Sequence, residues 1–244
     1  MELLILFEEL LLHLFQQNGL EKYLAFVSDF EQLYQYLIQK NQSLNLTAVT
    51  DPEEVIVKHF SDCLKIADLI PESAWVLDVG CGGGFPSLPL AIVRPDLRIV
   101  SLDSIAKKLQ FVSDCAERMH LRGLQTLNGR AELFAKQAQY RQQFDVVVSR
   151  AVAELCILAE LCLPFVRVGG RMIAMKGAAA EEEQKSASYG IEILGGQIQS
   201  ADCFQLSDGS LRKNIVIDKK ADTPDRYPRP YTKMKKMPLR EGRT

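Results

Sequence analysis

The sequence lacks the cysteine patterns that define disulfide scaffolds and structural zinc sites. None of its six cysteines belongs to a C-x-x-C pair, and no histidine stands near them at metal-ligand spacing. The six are Cys63, Cys81, Cys115, Cys156, Cys162 and Cys203. We therefore expect a reduced, cytoplasmic protein without a bound metal, in which cysteine serves as a small apolar residue.

Long hydrophobic runs and targeting signals are also missing. Residues 1–15 (MELLILFEELLLHLF) are very apolar, but Glu8 and Glu9 interrupt them. The run is shorter than the roughly 20 residues that a membrane-spanning helix needs. It has no basic start, and no A-x-A-like cleavage site follows it. We expect neither a secretory signal nor a membrane protein.

A strong charge of either sign is absent, because the net charge of the 244 residues is −2. The end of the chain is the exception: from Arg226 onward there are seven Lys/Arg and one acid. We predict that residues 221–244 form a basic, proline-rich tail that extends along a surface. Positive charges interleaved with Tyr227 and Tyr231 suit an RNA backbone and an unstacked base. Arg229 is accordingly a candidate RNA-binding residue.

A glycine-rich turn stands between a predicted strand and a predicted helix. Residues 76–79 are apolar, as in a buried strand, and four glycines follow within residues 80–84. A short helix is expected to begin near Pro86, since proline is tolerated in a first turn. Glycine lets the backbone approach a ligand, and a helix N-terminus offers free N–H groups. Phe85 stands where a dinucleotide fingerprint needs its last glycine, so the turn instead resembles the first motif of S-adenosylmethionine-dependent methyltransferases.

The next predicted strand, residues 98–102, ends at Asp103. An acid about 20 residues after the glycines is placed to accept hydrogen bonds from ribose hydroxyls, whichever nucleotide cofactor is bound. Alternatively, Asp103 only caps the helix that starts at Ile105.

Predicted strands and helices alternate from Trp75 onward. This alternation is typical of a largely parallel sheet covered by helices on both faces. Five units are followed by two strands near residues 197–206 and 211–218, joined by a turn-rich Ser-Asp-Gly-Ser link. The predicted elements also include strands at 124–127, 144–149 and 171–175, a helix closed by Gly123, and a helix over 178–194. We predict an α/β fold with a Rossmann-like, mostly parallel seven-stranded sheet and a terminal antiparallel hairpin.

Two helices, over residues 3–16 and 20–40, are predicted before the sheet. The second repeats apolar residues at three- and four-residue spacing, which gives it one apolar face. We expect residues 1–64 to form a helical region packed on a core of residues 65–220.

A third helix is predicted to begin at Asp51-Pro52, where a capping residue precedes proline and acids. His59 and Asp62 are three residues apart on it and share a face. A surface pair is the simpler interpretation, and His59 is alternatively a candidate for the substrate side of the site.

Polar or glycine residues stand at the ends of five successive predicted strands: Gly80, Asp103, Glu132, Arg150 and Lys176. In an open α/β sheet, ligands bind outside the carboxyl ends of the strands. The sequence therefore predicts the functional site at this edge.

Several segments together resemble the ribosomal RNA small subunit methyltransferase G family, also called glucose-inhibited division protein B. They are Asn45-Leu46-Thr47-Ala48-Val49, Lys58-His59-Phe60, Leu77-Asp78-Val79-Gly80 with Gly84-Phe85-Pro86, Arg130-Ala131-Glu132, Ser149-Arg150-Ala151-Val152-Ala153 and Met175-Lys176-Gly177. They span residues 40–220 in matching order. The chain departs from the family at Cys81 and Gly83, and its tail follows the family's basic ending only loosely.

The resemblance implies a class I S-adenosylmethionine methyltransferase that modifies N7 of one guanine in 16S rRNA, near the decoding site. The implied partner is 16S rRNA or a precursor of the small ribosomal subunit, and the implied enzyme is monomeric. Guanine N7 carries a free lone pair, so no general base is needed and positioning and desolvation supply the rate. The lack of a Ser-His-Asp or reactive-cysteine constellation agrees with this chemistry.

Residue roles also follow from the resemblance. The implied cofactor-binding residues are Gly80, Phe85, Asp103, Ser104, Ile105, Ala131, Glu132 and Arg150. The implied substrate-side residues are Asn45, His59, Lys176 and Arg229. Arg150 would hold the cofactor carboxylate or an RNA phosphate. The alternatives are structural: a simple turn at Gly80, a first-turn acid at Glu132 and a salt bridge at Arg150.

Other classes of function are less consistent with the sequence. A methyltransferase acting on a protein, a small molecule or another RNA is the main alternative. The basic tail and the lack of an Asn/Asp-Pro-Pro-Tyr motif after the fourth strand disfavour protein and small-molecule acceptors. Phe85 and the terminal hairpin disfavour a nicotinamide-dependent oxidoreductase. A non-catalytic RNA-binding module would leave the glycine turn unexplained.

Overall fold

The computed structural model describes residues 2–177 and 180–241. The strands are β1 (Trp75–Val79), β2 (Arg98–Asp103), β3 (Leu124–Asn128), β4 (Phe144–Arg150), β5 (Val166–Lys176), β6 (Gly196–Gln205) and β7 (Leu211–Lys219). The α-helices are α1 (Glu2–Gln17), α2 (Val27–Leu44), α3 (Pro52–Val55), α4 (Asp62–Leu64), α5 (Ser87–Val93), α6 (Ala106–Arg118), α7 (Ala131–Phe134), α8 (Leu155–Cys162), α9 (Ala180–Ile193) and α10 (Tyr231–Lys236). Residues 178 and 179 of the predicted helix 178–194 lie outside the described residues.

The strands form one sheet in the order β3-β2-β1-β4-β5-β7-β6. Strands β1 to β5 run parallel, whereas β7 is antiparallel to both β5 and β6. The predicted seven-stranded, mostly parallel sheet with a terminal hairpin is thus confirmed. Chain order reverses between β1 and β4, and a ligand crevice is expected at such a switch point.

The two faces of the sheet carry separate apolar cores, because side chains alternate along each strand. Val146 and Val148 of β4 face a cluster that includes the N-terminal helices, α5 and α6. Val147 faces the other cluster, which includes α8, α9 and the end of the chain. Arg150 therefore emerges from β4 on the side of the N-terminal helices.

The N-terminal helices pack through the predicted apolar stripe of α2. Phe30 is fully buried and contacts the rings of Phe15 and Phe60, with centroids 5.3 and 5.0 Å away. The predicted helix over 20–40 begins as a 3₁₀ helix (Glu21–Phe26), and its α-helical part continues to Leu44. Asn45 ends it in the left-handed region, at φ +51°. Among the described residues, no helix is long and apolar enough to cross a membrane.

The third predicted helix begins as expected. Asp51 accepts a hydrogen bond from the Glu54 backbone N–H at 3.1 Å, and Pro52 occupies the first turn. The helix then widens into a π-helical turn over Ile56–Ser61 before α4. Such turns often occur at functional sites. Here the turn directs the Lys58 carbonyl toward Arg150, whose Nη1 donates to it at 2.8 Å.

The end of α6 differs from the sequence prediction. We expected Gly123 to close this helix, but the left-handed residue is His120, at φ +55°. Gly123 instead lies against β2: a Cβ there would be 2.3 Å from the Leu97 carbonyl oxygen. Close packing, and not helix capping, explains this glycine.

The prediction of an extended surface tail is wrong. Tyr227, Met234 and Leu239 are buried in the cluster with α8 and α9. Arg141 fastens the same segment by donating to the carbonyls of Thr223 and Tyr227, at 2.6 and 2.9 Å. Apolar residues placed between the charges of the tail hold it in the core. Residues 242–244 of the predicted tail lie outside the described residues.

Candidate active site

A cavity of about 840 Å³ opens at the carboxyl ends of β1 to β5. One half lies over β1, β2 and β3 and includes Cys81, Gly82, Gly83, Ser104, Lys108 and Gly129. The other half lies over β4, β5 and the start of β7 and includes Thr47, Lys58, Met175 and Glu183. The sheet therefore brings most of the predicted strand-end residues into one space.

The glycine turn forms the floor of the cavity. Gly80 has φ +75°, and a Cβ there would be 2.5 Å from Cγ2 of Val152. Its N–H and that of Cys81 donate to the Leu102 carbonyl, at 2.8 and 3.1 Å. The backbone is thus fixed against β2 and left bare toward the cavity, as a closely approaching ligand requires.

Asp78 connects β1 to the start of α5, directly after the glycine turn. Its Oδ2 accepts hydrogen bonds from the backbone N–H of Ser87, at 3.2 Å, and from the Ser87 hydroxyl. The residue is fully buried, and this burial raises the pKa of its carboxyl to about 7. The sequence analysis placed Asp78 in a strand and gave it no further role. An acid within an apolar run, directly before the glycines, is the signal that could have identified it.

Asp103, the last residue of β2, accepts hydrogen bonds from two backbone N–H groups. Its Oδ2 accepts from the Gly82 N–H and its Oδ1 from the Ile105 N–H, both at 2.9 Å. The carboxylate therefore braces the glycine turn and the tight turn that leads into α6 while it lines the cavity, and the N-cap residue of α6, Ile105, has no side-chain cap. Ser104 also lines the cavity. The Ile105 side chain lies outside the lining, 42% exposed.

Residues after β3 close the same half of the cavity. Arg130, Ala131 and Glu132 all line it, and Arg130 Nη2 lies 3.0 Å from Glu132 Oε1. The Tyr231 ring, from the C-terminal segment, lies 4.8 Å from the Arg130 guanidinium. The sequence analysis placed Tyr231 in an RNA-binding tail and not in this cavity, because nothing local in the sequence indicates which strand end that segment contacts.

Arg150 is the most heavily bonded side chain of the other half. Besides the Lys58 carbonyl, its Nη1 lies 3.4 Å from Asp62 Oδ2, and its Nη2 lies 3.3 Å from His59 Nδ1. The guanidinium also lies over the Phe85 ring, 5.5 Å from its centroid. His59 and Asp62 share a face as predicted, and that face is directed at Arg150.

His59 is held as a neutral ring. Burial, followed by the positive charge of Arg150, lowers its pKa to about 3. Its Nε2 lies 2.8 Å from the Thr47 hydroxyl, and the ring stacks on Phe85 with centroids 4.6 Å apart. A neutral ring that accepts from Arg150 at Nδ1 must carry its proton on Nε2, which donates to Thr47.

Lys176 and Arg212 complete the lining over β5 and β7. Lys176 Nζ donates to the Ala153 carbonyl at 2.8 Å and pairs with Glu183 at 2.6 Å. Arg212 Nε lies 3.6 Å from Asp62 Oδ1. The sequence analysis missed Arg212, because only antiparallel pairing of β7 brings the start of that strand to the carboxyl edge of the sheet.

Two predicted substrate-side residues lie outside the cavity lining. Asn45 ends α2, and it is the following residues, Leu46 and Thr47, that reach the cavity. Arg229 forms a bidentate pair with buried Glu160, with Nε–Oε1 at 2.8 Å and Nη2–Oε2 at 2.6 Å. That pair anchors the C-terminal segment against α8.

The sheet order, the antiparallel β7 and the glycine turn after β1 define a class I methyltransferase fold. The family model for rRNA small subunit methyltransferase G matches residues 27–213. The chain belongs to this family.

Curated relatives agree with this assignment. A ribosomal RNA small subunit methyltransferase G from Clostridium botulinum (strain Loch Maree / Type A3) is 45% identical over 224 residues, covering 90% of this chain and 92% of that protein. One from Bacillus cytotoxicus is 42% identical over 216 residues, covering 87% and 90%.

Solved structures show the same fold at low sequence identity. Cofactor-bound Rv0187 from MTB has a TM-score of 0.55 at 16% identity, covering 78% of this chain and 91% of that one. A 16S rRNA (adenine(1408)-N(1))-methyltransferase variant from Catenulisporales acidiphilia, solved with its cosubstrate SAM, has a TM-score of 0.51 at 11% identity, covering 67% and 92%.

Proposed function

We propose that this protein transfers the methyl group of S-adenosylmethionine to N7 of one guanine in 16S rRNA. The proposal takes the acceptor to be free rRNA or a precursor of the small ribosomal subunit, and the enzyme to be a cytoplasmic monomer. The family assignment supports rRNA methylation. The finer proposal, N7 of guanine, is what the resemblance to this family implies, and the state of the ionisable groups in the cavity agrees with it.

The half of the cavity over β1 to β3 fits the cofactor. Bare backbone at Gly80 suits the methionine portion, and Phe85 walls the cavity beside it. Asp103 keeps acceptor capacity for ribose hydroxyls, since each of its oxygens accepts only one backbone N–H and has a second lone pair. Ala131 and Glu132 lie where an adenine edge would follow. When bound, the cofactor supplies an electrophilic methyl group.

In the other half no described group is placed to take a proton, and this observation supports an acceptor atom that has no proton to lose. Its carboxylates, Asp62 and Glu183, are both in ion pairs, and His59 is neutral with both ring nitrogens engaged. An exocyclic amine or a ring N–H would need to lose a proton, whereas guanine N7 presents a free lone pair. As the N7–C bond forms and the C–S bond breaks, the positive charge passes from sulfur to the base.

The residues of this chain then act by positioning the reacting groups and by excluding water from them. Val152 lies against Gly80 and narrows the space beside the reacting atoms, which helps to exclude water. Arg150 is held by Asp62, His59 and the Lys58 carbonyl, so its free donors have a fixed direction before substrate arrives. Such pre-organisation lowers the entropic part of the barrier.

Mapping of the product tests the proposal. Purified protein is incubated with labelled S-adenosylmethionine and with 16S rRNA or precursor subunits, and the methylated nucleoside is identified by mass spectrometry. Borohydride and aniline, which cleave RNA at 7-methylguanosine, then locate it. We expect 7-methylguanosine at one position, and its loss from 16S rRNA of cells that lack the protein. Methylation of any other atom would contradict the proposal.

Calorimetry tests the cofactor separately. We expect S-adenosylhomocysteine to bind and NAD to give no heat of binding, because Phe85 replaces the last fingerprint glycine. NAD binding without a response to S-adenosylhomocysteine would refute the cofactor assignment.

A further inference from the structure

Two arginines from distant parts of the chain share one buried carboxylate. Asp62 is 4% exposed, and its two oxygens face different partners: Oδ2 faces Arg150 Nη1 at 3.4 Å, and Oδ1 faces Arg212 Nε at 3.6 Å. Charge-assisted N–H···O bonds are usually about 2.7–2.9 Å long. Asp62 therefore attracts both guanidinium groups and engages only one nitrogen of each, which leaves their other donors available to other partners.

Arg212 has donors to spare. Its Nη1 donates to the Leu211 carbonyl at 3.1 Å. Its Nε and Nη2 donate no hydrogen bond to any residue in 2–177 or 180–241. A planar guanidinium with free donors beside a cavity is suited to a phosphate or a carboxylate.

The geometry of the strands explains why the two arginines meet. Arg150 lies on the same face of β4 as Val148, toward the N-terminal helices. Ile215 and Ile217 of β7 face the opposite cluster, so Arg212 emerges on the side of Arg150, whereas Lys213 emerges on the other side.

The charges lining the cavity are divided unevenly. The half over β2 and β3 balances two cations, Lys108 and Arg130, against the carboxylates of Asp103 and Glu132. The half over β4, β5 and β7 has four cations and two carboxylates: Lys58, Arg150, Lys176 and Arg212 against Asp62 and Glu183. Lys58 also pairs with Glu54 outside the lining, which leaves an excess of one positive charge. His59 adds nothing to this excess, because it is neutral. The positive excess therefore lies away from the half that fits the cofactor.

We propose that Asp62 is a positioning residue that aligns Arg150 and Arg212 as a clamp for one phosphate of the RNA strand that carries the acceptor guanine. This inference rests on the proposed function and extends it to the mode of substrate binding. The cofactor carboxylate is the other anion that this chemistry would fit, and the test separates the two.

The first comparison uses Arg212→Gln and, as a matched control, Lys213→Gln. The control removes the same charge from the neighbouring residue, on the opposite face of β7. We measure the Kd for protein-free 16S rRNA at several salt concentrations. Arg212→Gln should weaken binding roughly tenfold and reduce the salt slope by about 0.7, as loss of one phosphate contact predicts. Lys213→Gln should change neither. If the two variants change the Kd and the salt slope equally, the proposed clamp is wrong.

Cofactor analogues identify which anion is bound. S-adenosylhomocysteine has an amino-acid carboxylate, whereas 5′-methylthioadenosine lacks it. We expect Arg212→Gln to leave both affinities unchanged. Weaker binding of S-adenosylhomocysteine alone would assign the arginine to the cofactor and overturn the RNA assignment.

Asp62→Asn distinguishes alignment of the two arginines from simple attraction between the cavity and RNA. The variant makes the cavity more positive, so attraction alone predicts tighter RNA binding and undiminished turnover. Positioning predicts that kcat/KM falls at least tenfold while the thermal unfolding midpoint confirms a folded protein. Turnover equal to that of the wild type would contradict positioning. If this variant does not fold, Asp62→Glu replaces it: this variant keeps the charge but moves the carboxylate, so positioning again predicts a lower kcat/KM, and wild-type turnover would contradict it.

The outcome is independent of the chemistry at N7. If product mapping finds another methylated atom while Arg212→Gln reduces the salt slope and Lys213→Gln does not, the proposed function fails and the clamp is supported. If 7-methylguanosine is found and the two variants behave alike, the clamp fails and the proposed function stands.

Discussion

At the scale of single residues, Arg150 joins the site to the N-terminal helices. Arg150→Ala removes the contacts to Asp62, His59, Phe85 and the Lys58 carbonyl at once. We expect methyl transfer to fall below detection, since both the orientation of His59 and the clamp are lost. Breaking a buried ion pair costs about 3 kcal/mol, although Arg212 still faces Asp62 and reduces that loss. Activity and thermal unfolding measured together test this.

Arg171→Ala is a suitable control, because Arg171 belongs to β5 but lies far from the carboxyl edge, opposite Asp218. The Arg171→Ala variant should turn over at the rate of the wild type. Wild-type turnover in Arg150→Ala would make Arg150 a purely structural residue.

Asp78 makes stability depend on pH in a direction opposite to that of an ordinary paired acid. Its pKa rises from 3.8 unfolded to about 7 folded, chiefly through burial. The folded state therefore binds more protons between these values, and the stability gained from Asp78 is lost as pH rises from 4 to 7. Asp78→Asn removes this loss. As pH rises from 4 to 7, the unfolding free energy of Asp78→Asn should therefore increase relative to that of the wild type by up to about 1.4 kcal/mol per pH unit.

Urea denaturation at a series of pH values checks this prediction. His59 has the opposite slope, because its folded pKa of about 3 makes stability rise with pH up to the ordinary histidine value of 6.5. The comparison must therefore be made between variant and wild type at each pH. A constant difference across the range would show that folding does not raise the pKa of Asp78.

At the scale of elements, α10 presents charge next to the mouth of the cavity. Met234 is buried while Lys233, Lys235 and Lys236 are exposed, and Tyr231 at the start of α10 lines the cavity. Replacing the three lysines by glutamine should lower the salt slope of RNA binding by up to about 2, at roughly 0.7 per phosphate contact. Cofactor affinity should not change, because none of the three lines the cavity.

Lys22, Lys185 and Lys220 make a matched control triple, since each is exposed and their removal subtracts the same charge. If the control flattens the salt slope equally, the lysines of α10 are no more than a solvated surface.

At the scale of the whole molecule, the C-terminal segment is part of the core. Deleting residues 226–244 removes Tyr227, Met234 and Leu239, and burial of each such side chain contributes about 1.5–3 kcal/mol. We expect the unfolding midpoint to fall by on the order of 10 °C or more. Cofactor affinity should fall as well, because Tyr231 is lost from the cavity wall. An unchanged midpoint would mean that this packing adds no stability.

The sequence predicted much of this fold because parallel strands buried on both faces appear as apolar runs that end in glycine or polar residues. Gly80, Asp103, Glu132 and Arg150 all lie at such ends, and all line the cavity. Local patterns carry no information on pairing between distant segments. Arg212 could therefore not be placed, and the course of the tail was predicted wrongly because its charges outnumber its three buried anchors.

The packing of the C-terminal segment also bears on how the protein is made. Synthesis proceeds from the N-terminus, and domains generally fold as units while the chain emerges. Residues 227–239 leave the ribosome after every strand of the sheet, yet they complete the core beneath α8 and supply Tyr231 to the cavity wall. A nascent chain that already holds all seven strands still lacks one wall of its site. The wall of the cavity is therefore completed only after these residues have been translated and have packed against α8, so the order of synthesis makes it one of the last parts of the fold to form.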